Sequence, residues 1–383
     1  MRKILLFMTF VTVCGSFALT GCNSRNSDNT VNDTKFPEEI NYESDNLKVS
    51  CKLDIPDDFD ISNLKKATAK TVILSDHADI IYSTFSPKLE GTEYTENKVY
   101  DDEGIKGIQK LWNKTNEITH ATRMLNLFVS SMYYMTEDYS KSALGSESLR
   151  EREEVGSYAS YPEGYKENSD LFRGELSFDT EKNIEAKLTK QFNEWGFGRN
   201  FSYDCFGVSK DLVKQQYCYV KADGSYNTDI SPKDLNEFKE YYQLYGRQEL
   251  YGLPVFYYSG VGGIYREECP IKAAVGPDGI EYLEILRIFS FKETDESIDG
   301  LASYDEILNT IKSRYEDIVT RNTFEINRGG LYYYAKGNGN KKDFDMVPAW
   351  CFIVREHNKG DGQDYEKILL IDAVTGKEMP YEP

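Results

Sequence analysis

The segment SYDEILNTIKSRYEDI (residues 303–318), followed by FEI (324–326), LYYY (331–334), VPAWCFIV (347–354) and ILLI (368–371), decides the fold class. Ser303-Tyr-Asp-Glu306 has capping-box spacing, in which the Ser hydroxyl accepts from the third residue's backbone and the Glu returns the bond. It opens a helix whose buried stripe is predicted at Ile307, Ile311, Tyr315 and Ile318. After it every apolar run is short, and Lys336-Gly-Asn-Gly-Asn340 and Lys359-Gly-Asp-Gly362 supply turns. A helix followed by short-linked strands folds as an antiparallel sheet with the helix on one face. The predicted class is therefore α+β, helices packed on antiparallel sheets.

Upstream, Asp179-Thr180 opens another helix, with Ile184, Leu188, Phe192 and Trp195 on one face and Gly196 as its stop. Leu171 to Phe178 reads as the strand before it. From Gly104 to Tyr139, Ile105, Ile108, Leu111, Trp112, Ile118, Met124, Leu125, Phe128 and Met132 recur mostly every three or four residues without Pro. That spacing predicts a long helix, or two with a break near Thr119-His120. Lys48-Val-Ser-Cys-Lys-Leu-Asp-Ile55 alternates apolar and polar residues up to Pro56, the pattern of a half-buried strand. Residues 141–170 are polar, with scattered Gly, Ser and Pro. They place a boundary near residue 165, between a helix-rich N-terminal α+β subdomain (43–165) and a C-terminal α+β domain (166–383). The last part of that domain, 301–383, is a helix-plus-hairpins unit.

The chain begins with basic Arg2 and Lys3, then an apolar stretch from Ile4 to Leu19, the order of a secretory signal. That stretch is shorter than the ~20 residues that span a membrane. Leu19-Thr20-Gly21-Cys22 resembles the bacterial lipobox, which implies cleavage after residue 21 and a diacylglycerol on Cys22. Residues 22–42 then form a flexible tether, since Asn23 to Asp33 contains almost nothing apolar. The implied location is the extracytoplasmic face of the cell membrane, held by lipid. Cutting there leaves 43 basic residues against 64 acidic ones. Such a surface is repelled by anionic lipid, so the acyl chains must do the anchoring.

Over its 383 residues the chain carries a net charge of −19, which makes nucleic acid a poor partner. Five cysteines remain beyond the lipobox and the leader: Cys51, Cys205, Cys218, Cys269 and Cys351. They lack zinc spacing and read as free thiols, with Cys205–Cys218 the only pairing that local sequence suggests. His77, His120 and His357 are far apart in sequence, and there is no HExxH or GxSxG. Ser62-Asn-Leu-Lys65 matches SxxK without a downstream Lys-Thr-Gly. Gly260-Val-Gly262-Gly263 lacks the third spaced Gly of a phosphate loop and reads as a turn. Asp223-Gly-Ser225-Tyr-Asn227-Thr-Asp229 alternates oxygen ligands but has no Glu at the twelfth position of a calcium loop. No metal and no cofactor are expected.

Tyrosine is the unusual component, with 29 copies. In a strand, Tyr332 and Tyr334 share a face that Tyr333 opposes, so one face is predicted as core. The other would offer amphipathic rings to a protein, peptide or glycan, making Tyr332, Tyr333 and Tyr334 the predicted contact surface.

Met346-Val-Pro-Ala-Trp350 and Ile368-Leu-Leu-Ile-Asp372-Ala-Val-Thr-Gly376 resemble the closing hairpin of PepSY-like and YycH/YycI-type regulatory domains. With the lipobox, Gly252-Leu-Pro254 and Gly276-Pro-Asp-Gly-Ile280, the chain is similar to uncharacterised lipoprotein families of Gram-positive bacteria. Asp372 stands where many relatives have Asn. The resemblance speaks to fold and gives Trp350, Asp372 and Gly376 structural roles: covering the sheet, bonding the turn backbone and taking positive φ. With no catalytic motif assigned, the sequence favours a non-catalytic, lipid-anchored binding or regulatory module acting on an envelope or membrane partner. A secreted wall or glycan hydrolase with paired carboxylates, and a solute-binding lipoprotein of a transporter, stand as alternatives.

Overall fold

A computed structural model describes residues 37–57, 59–100, 105–117, 122–140, 175–210, 239–261, 264–267, 269–316, 318–337, 343–360 and 362–380. The chain enters through β1 (Glu39–Glu43), β2 (Leu47–Asp54) and β3 (Lys65–Thr71), then the short helix α1 (Ala78–Phe85). Next come β4 (Glu93–Tyr100), β5 (Lys106–Thr115), β6 (Thr122–Leu127) and β7 (Met132–Met135). Helix α2 (Glu181–Glu194) is followed by β8 (Phe201–Val208), β9 (Tyr241–Leu250) and β10 (Leu253–Pro254). Two hairpins, β11 (Tyr258–Val261) with β12 (Ile264–Glu267) and β13 (Ile271–Gly276) with β14 (Gly279–Ile285), lead to β15 (Phe289–Ser297). Helix α3 (Tyr304–Tyr315) precedes the long strands β16 (Thr323–Gly337), β17 (Asp343–His357) and β18 (Asp364–Asp372).

Among the described residues these strands make two large sheets. The first runs β1-β2-β16-β17-β3-β15, with β18 also on β17. Strand β17 is long enough to pair with β18 along Ala349–His357 and with β3 along Asp343–Met346. The second runs β10-β9-β13-β14-β7-β6-β5-β4, with β8 also on β9. The class is α+β, as the sequence predicts. The first sheet is nevertheless mixed, because β2 and β16 pair in parallel. Hairpins enforce antiparallel neighbours, and no hairpin joins these two strands.

Each sheet takes its own helices. The Ser303 capping box is formed, with Glu306 N–H donating to Ser303 Oγ at 3.4 Å and Ser303 N–H to Glu306 Oε2 at 2.8 Å. Ile307, Ile311 and Tyr315 of α3 bury against Leu47, Val49, Phe324, Ile326, Trp350 and Phe352. Ile318 lies beyond the end of α3 and is 40% exposed, so it does not belong to the stripe. On the second sheet, Ile81 and Phe85 of α1 and Ile184, Leu188 and Phe192 of α2 cover Leu125, Leu127, Tyr134, Leu244 and Leu283. Thr180 caps α2, accepting from Asn183 N–H at 3.3 Å. Burial at β2 alternates strictly, as its sequence does.

The long helix predicted from Gly104 to Tyr139 is replaced by three strands. Ile108, Leu111 and Trp112 lie on β5, Met124 and Leu125 on β6, and Met132 on β7. Spacings of three and four also arise when period-2 strands are joined by turns, and tertiary pairing decided between the two patterns. The strand arrangement brings Gly107 against Val129, where a Cβ would stand 2.4 Å from Val129 Cγ2. Residues 118–121, including Ile118 and the Thr119-His120 break, lie outside the described residues, as do 171–174 of the strand predicted before α2. The boundary near residue 165 also lies outside them. Strands from both sides of that boundary enter each sheet: β2 with β16 in the first, β7 with β14 in the second.

Candidate ligand-binding cleft

A cleft of about 650 Å³ opens where the two sheets meet. Lys70 and Thr71 of β3, Ile73, and Ser75 and Asp76 of a 3-10 turn (Leu74–His77) form one wall. Ile105 and four residues of β5, Lys106, Gly107, Ile108 and Lys110, form the other, with Asp343 at the start of β17. The turn is pinned by Leu74 N–H donating to Val129 O at 2.7 Å, and Val129 is the residue that packs on Gly107. Lys70 projects from the face of β3 opposite its buried Ala69 and Thr71, and reaches Asp343 at 3.2 Å across the β3–β17 register. Three lysines therefore meet two aspartates in a chain whose net charge is −19. Thr71 and Ser75 are both buried, and Thr71 Oγ1 has no hydrogen-bond partner.

Lys106, Ile108, Lys110 and Trp112 occupy alternate positions of β5 and so share one face. Trp112 stacks on Tyr82 of α1 with ring centroids 4.7 Å apart and against Tyr94 of β4 at 4.9 Å. Tyr94 sits directly across from Trp112 in the β4–β5 ladder and remains 50% exposed. Its hydroxyl donates to Glu96 Oε2 at 2.7 Å, a bond that raises the phenol's pKa. The face thus runs from a charged cleft into a stack of aromatic rings. The tyrosine count does not point to it. Its sequence signal is the charge-rich run Glu93-Tyr-Thr-Glu-Asn-Lys-Val-Tyr100, with Glu93, Glu96 and Lys98, a composition that suits an edge strand.

A second groove of about 620 Å³ follows α2 and β8, lined by Lys182, Glu185, Thr189, Arg199 and Tyr203 among others. Burial raises the pKa of Glu185, with Glu181 and Asp204 adding repulsion, and burial likewise raises Glu181. Glu181 and Glu185 stand one turn apart on a single helix face. Glu181 is not in that lining, so these two carboxyls do not face each other across the groove as an acid and a nucleophile must. Their titration has a sign: a carboxyl held above its unfolded pKa adds stability below the unfolded value and loses it as pH rises through the folded one. Glu185→Gln is accordingly expected to raise the urea midpoint at pH 7 relative to wild type and to leave it unchanged at pH 4. A variant that gains nothing at pH 7 would show that burial of this carboxyl is compensated.

The predicted contact tyrosines are covered. Tyr332, Tyr333 and Tyr334 are 5%, 0% and 3% exposed. Their alternation holds, with Tyr333 in the α3-facing core and Tyr332 and Tyr334 with Phe256, Cys351 and Met379 on the opposite face. Both faces of β16 are packed, so the ring face predicted to meet a partner is a second core. Trp350 is buried in the β17 position between Leu331 and Ile371. Asp372 Oδ1 accepts from Val374 N–H and Thr375 N–H, each at 2.9 Å, and Gly376 has φ +67°. A Cβ at Gly376 would come within 3.2 Å of Ala302 and Glu306, so the turn rests directly on the start of α3. Thr310 of α3 donates to Gly376 O at 2.6 Å.

Cys51, Cys205, Cys269 and Cys351 are free thiols, and burial pushes Cys51 up to about 11. Cys218, the other half of the suggested Cys205 pairing, lies outside the described residues, as do Cys22, His120 and the 223–229 loop. His77 packs edge-on against Phe197, and His357 lies 2.8 Å from Asp364 at the end of β17. Ser62 sits in a 3-10 turn capped by Asp60, just before β3. Among the described residues no cluster of His, Cys, Asp or Glu could hold a metal ion.

No protein-family model matches the chain, and no curated protein matches it. Solved structures do. An uncharacterised protein from Eubacterium rectale ATCC 33656 aligns with a TM-score of 0.56 and 16% identity, covering 90% of this chain and 94% of that one. The Bacillus megaterium YpeB C-terminal domain aligns with a TM-score of 0.27 and 10% identity over 82% of this chain and 98% of that one. At these identities the first likeness shows the fold alone, and the second is too distant to carry an argument.

Proposed function

We propose that the protein is a lipid-anchored extracytoplasmic binding module without catalytic chemistry of its own. Leu19-Thr20-Gly21-Cys22 carries the reading, supported by the basic and apolar leader before it and the polar stretch after it. The tail, residues 301–383, is proposed as a PepSY-like unit, supported by α3 lying on β16–β18 and by the Asp372–Gly376 turn. The cleft between the sheets is the proposed binding site. It is lined by opposed charges, two hydroxyl side chains and three isoleucines, which suit recognition of a polar ligand with some apolar surface. Replacement of Cys22 by Ala tests the location. The variant is expected either to leave the membrane fraction or to accumulate as uncut precursor, while wild type sediments with membranes and has a mass that includes acyl chains. A wild-type mass without lipid would overturn the anchor.

A further inference from the structure

We propose that β4 is a self-association edge: two copies of this chain pair antiparallel along it, centred on Asn97, with Glu96 of each copy opposite Lys98 of the other.

The edge is open. Strand β4 ends the second sheet and, among the described residues, pairs only with β5, in a ladder that runs from Glu93 to Tyr100 without a register shift. Its residues from Glu93 to Lys98 are all exposed, so neither face of the strand is covered there. Edge strands are usually guarded by shortness, by Pro or by a bulge. At other edges β1 is five residues long and β15 carries a register shift, whereas β4 is eight residues, unbroken and without Pro. A long flat edge of this kind is a template for another strand.

Hydrogen-bond geometry restricts the register. In an antiparallel pair, directly opposite residues either both bond across or both do not, and successive residues alternate. The outward-facing backbone groups of β4 therefore come from every second residue, because the others bond β5. When β4 pairs with itself, opposite residues must both be odd-numbered or both even-numbered. The two-fold axis must then pass through a residue position and not between two.

Charge selects among the permitted registers. Centred on Glu96 the pairing opposes two carboxylates, and centred on Lys98 it opposes two ammonium groups, arrangements that like charges destabilise. Centres farther from the middle of β4 shorten the overlap. Centred on Asn97, the run Thr95-Glu-Asn-Lys-Val99 reads against itself as Glu96 with Lys98 twice, Thr95 with Val99 twice and Asn97 with Asn97. Inside each copy Glu96 already stands across from Lys110 of β5, and Lys98 across from Ile108. The joint thus carries Lys110, Glu96 and Lys98 of the second copy in one row on one face. Tyr94, 50% exposed on that same face, gains a neighbouring strand along its open side. The net charge of −19 opposes bringing two copies together, but screening within about 8 Å at physiological salt leaves the contacts along the edge to decide.

Sedimentation equilibrium of the purified full chain is expected to show a monomer–dimer equilibrium. Lys98→Glu and Glu96→Lys are each expected to weaken dimerisation at least about tenfold, because each puts like charges opposite one another twice. The double variant Glu96→Lys/Lys98→Glu restores opposite charges in the same register and should recover most of that loss. Both side chains are exposed, so unchanged circular dichroism is expected for all three. Register is read by mild oxidation. Asn97→Cys brings its two Cα atoms to roughly 4.5–5.5 Å, a span that a disulfide closes, whereas Glu93→Cys leaves them about 27 Å apart. Asn97→Cys is expected to cross-link into a dimer, and Glu93→Cys and wild type are not. A chain that stays monomeric at every concentration would overturn the proposal and leave the edge to an extended segment of another protein. A dimer indifferent to Lys98→Glu, or one that the charge exchange fails to rescue, would place the contact elsewhere and overturn it too. Equal cross-linking of Asn97→Cys and Glu93→Cys would refute the register.

Discussion

Trp350→Ala is expected to lower unfolding free energy by about 3–5 kcal/mol, measured by urea titration. The indole is 1% exposed, in a strand with neighbours on both sides, and lies in the same core as Ile307 and Ile311 of α3. Removing it leaves a cavity that surrounding strands, hydrogen-bonded along their length, cannot close. Trp350→Phe should recover most of the loss, because an aromatic ring refills part of the volume. Trp350 does not line the cleft, so whatever fraction of the variant remains folded should bind ligand normally. A Trp350→Ala protein that unfolds like wild type but has lost binding would transfer this tail from folding to recognition.

The second large effect is expected at Gln248, which ties one sheet to the other. Gln248 of β9 donates Nε2–H to Phe289 O at 2.8 Å, and its Oε1 accepts from Phe289 N–H at 2.6 Å and from Tyr257 Oη–H at 2.7 Å. Phe289 begins β15, in the other sheet. Gln248→Leu keeps the volume and strands three buried partners, each costing about 1–3 kcal/mol, so a loss of about 3–9 kcal/mol is expected. Adding Tyr257→Phe in that background removes one orphan and should return part of it. A Gln248→Leu protein within about 1 kcal/mol of wild type would show that water or movement repairs the junction.

Local chemistry was legible wherever a segment decides its own conformation. The box Ser303–Glu306 and the Thr180 cap depend on groups three residues apart, and both helices start where those residues stand. Alternation in Lys48–Asp54 survives as alternating burial because β2 has one face on the core. The same logic failed at 104–139 and at Tyr332–Tyr334. In the first, turn-separated strands imitate a helical period, and only pairing with β4, β7 and β14 distinguishes them. In the second, parity along the strand was right, but the number of packed faces is a property of the layers above and below it.

The cleft was not readable at all, because its walls come from residues 70–76, 105–110 and 343, which no local spacing links. Composition, net charge, the helix caps and the turn at Asp372–Gly376 belong to the sequence, since each acts through neighbours in the chain or through the sum of its charges. Sheet order, the parallel β2–β16 pair, the burial of the tyrosines and the meeting of three lysines with two aspartates in the cleft belong to the tertiary structure. They depend on contacts between residues tens to hundreds of positions apart, and the energy that selects among such contacts is released only when the layers pack.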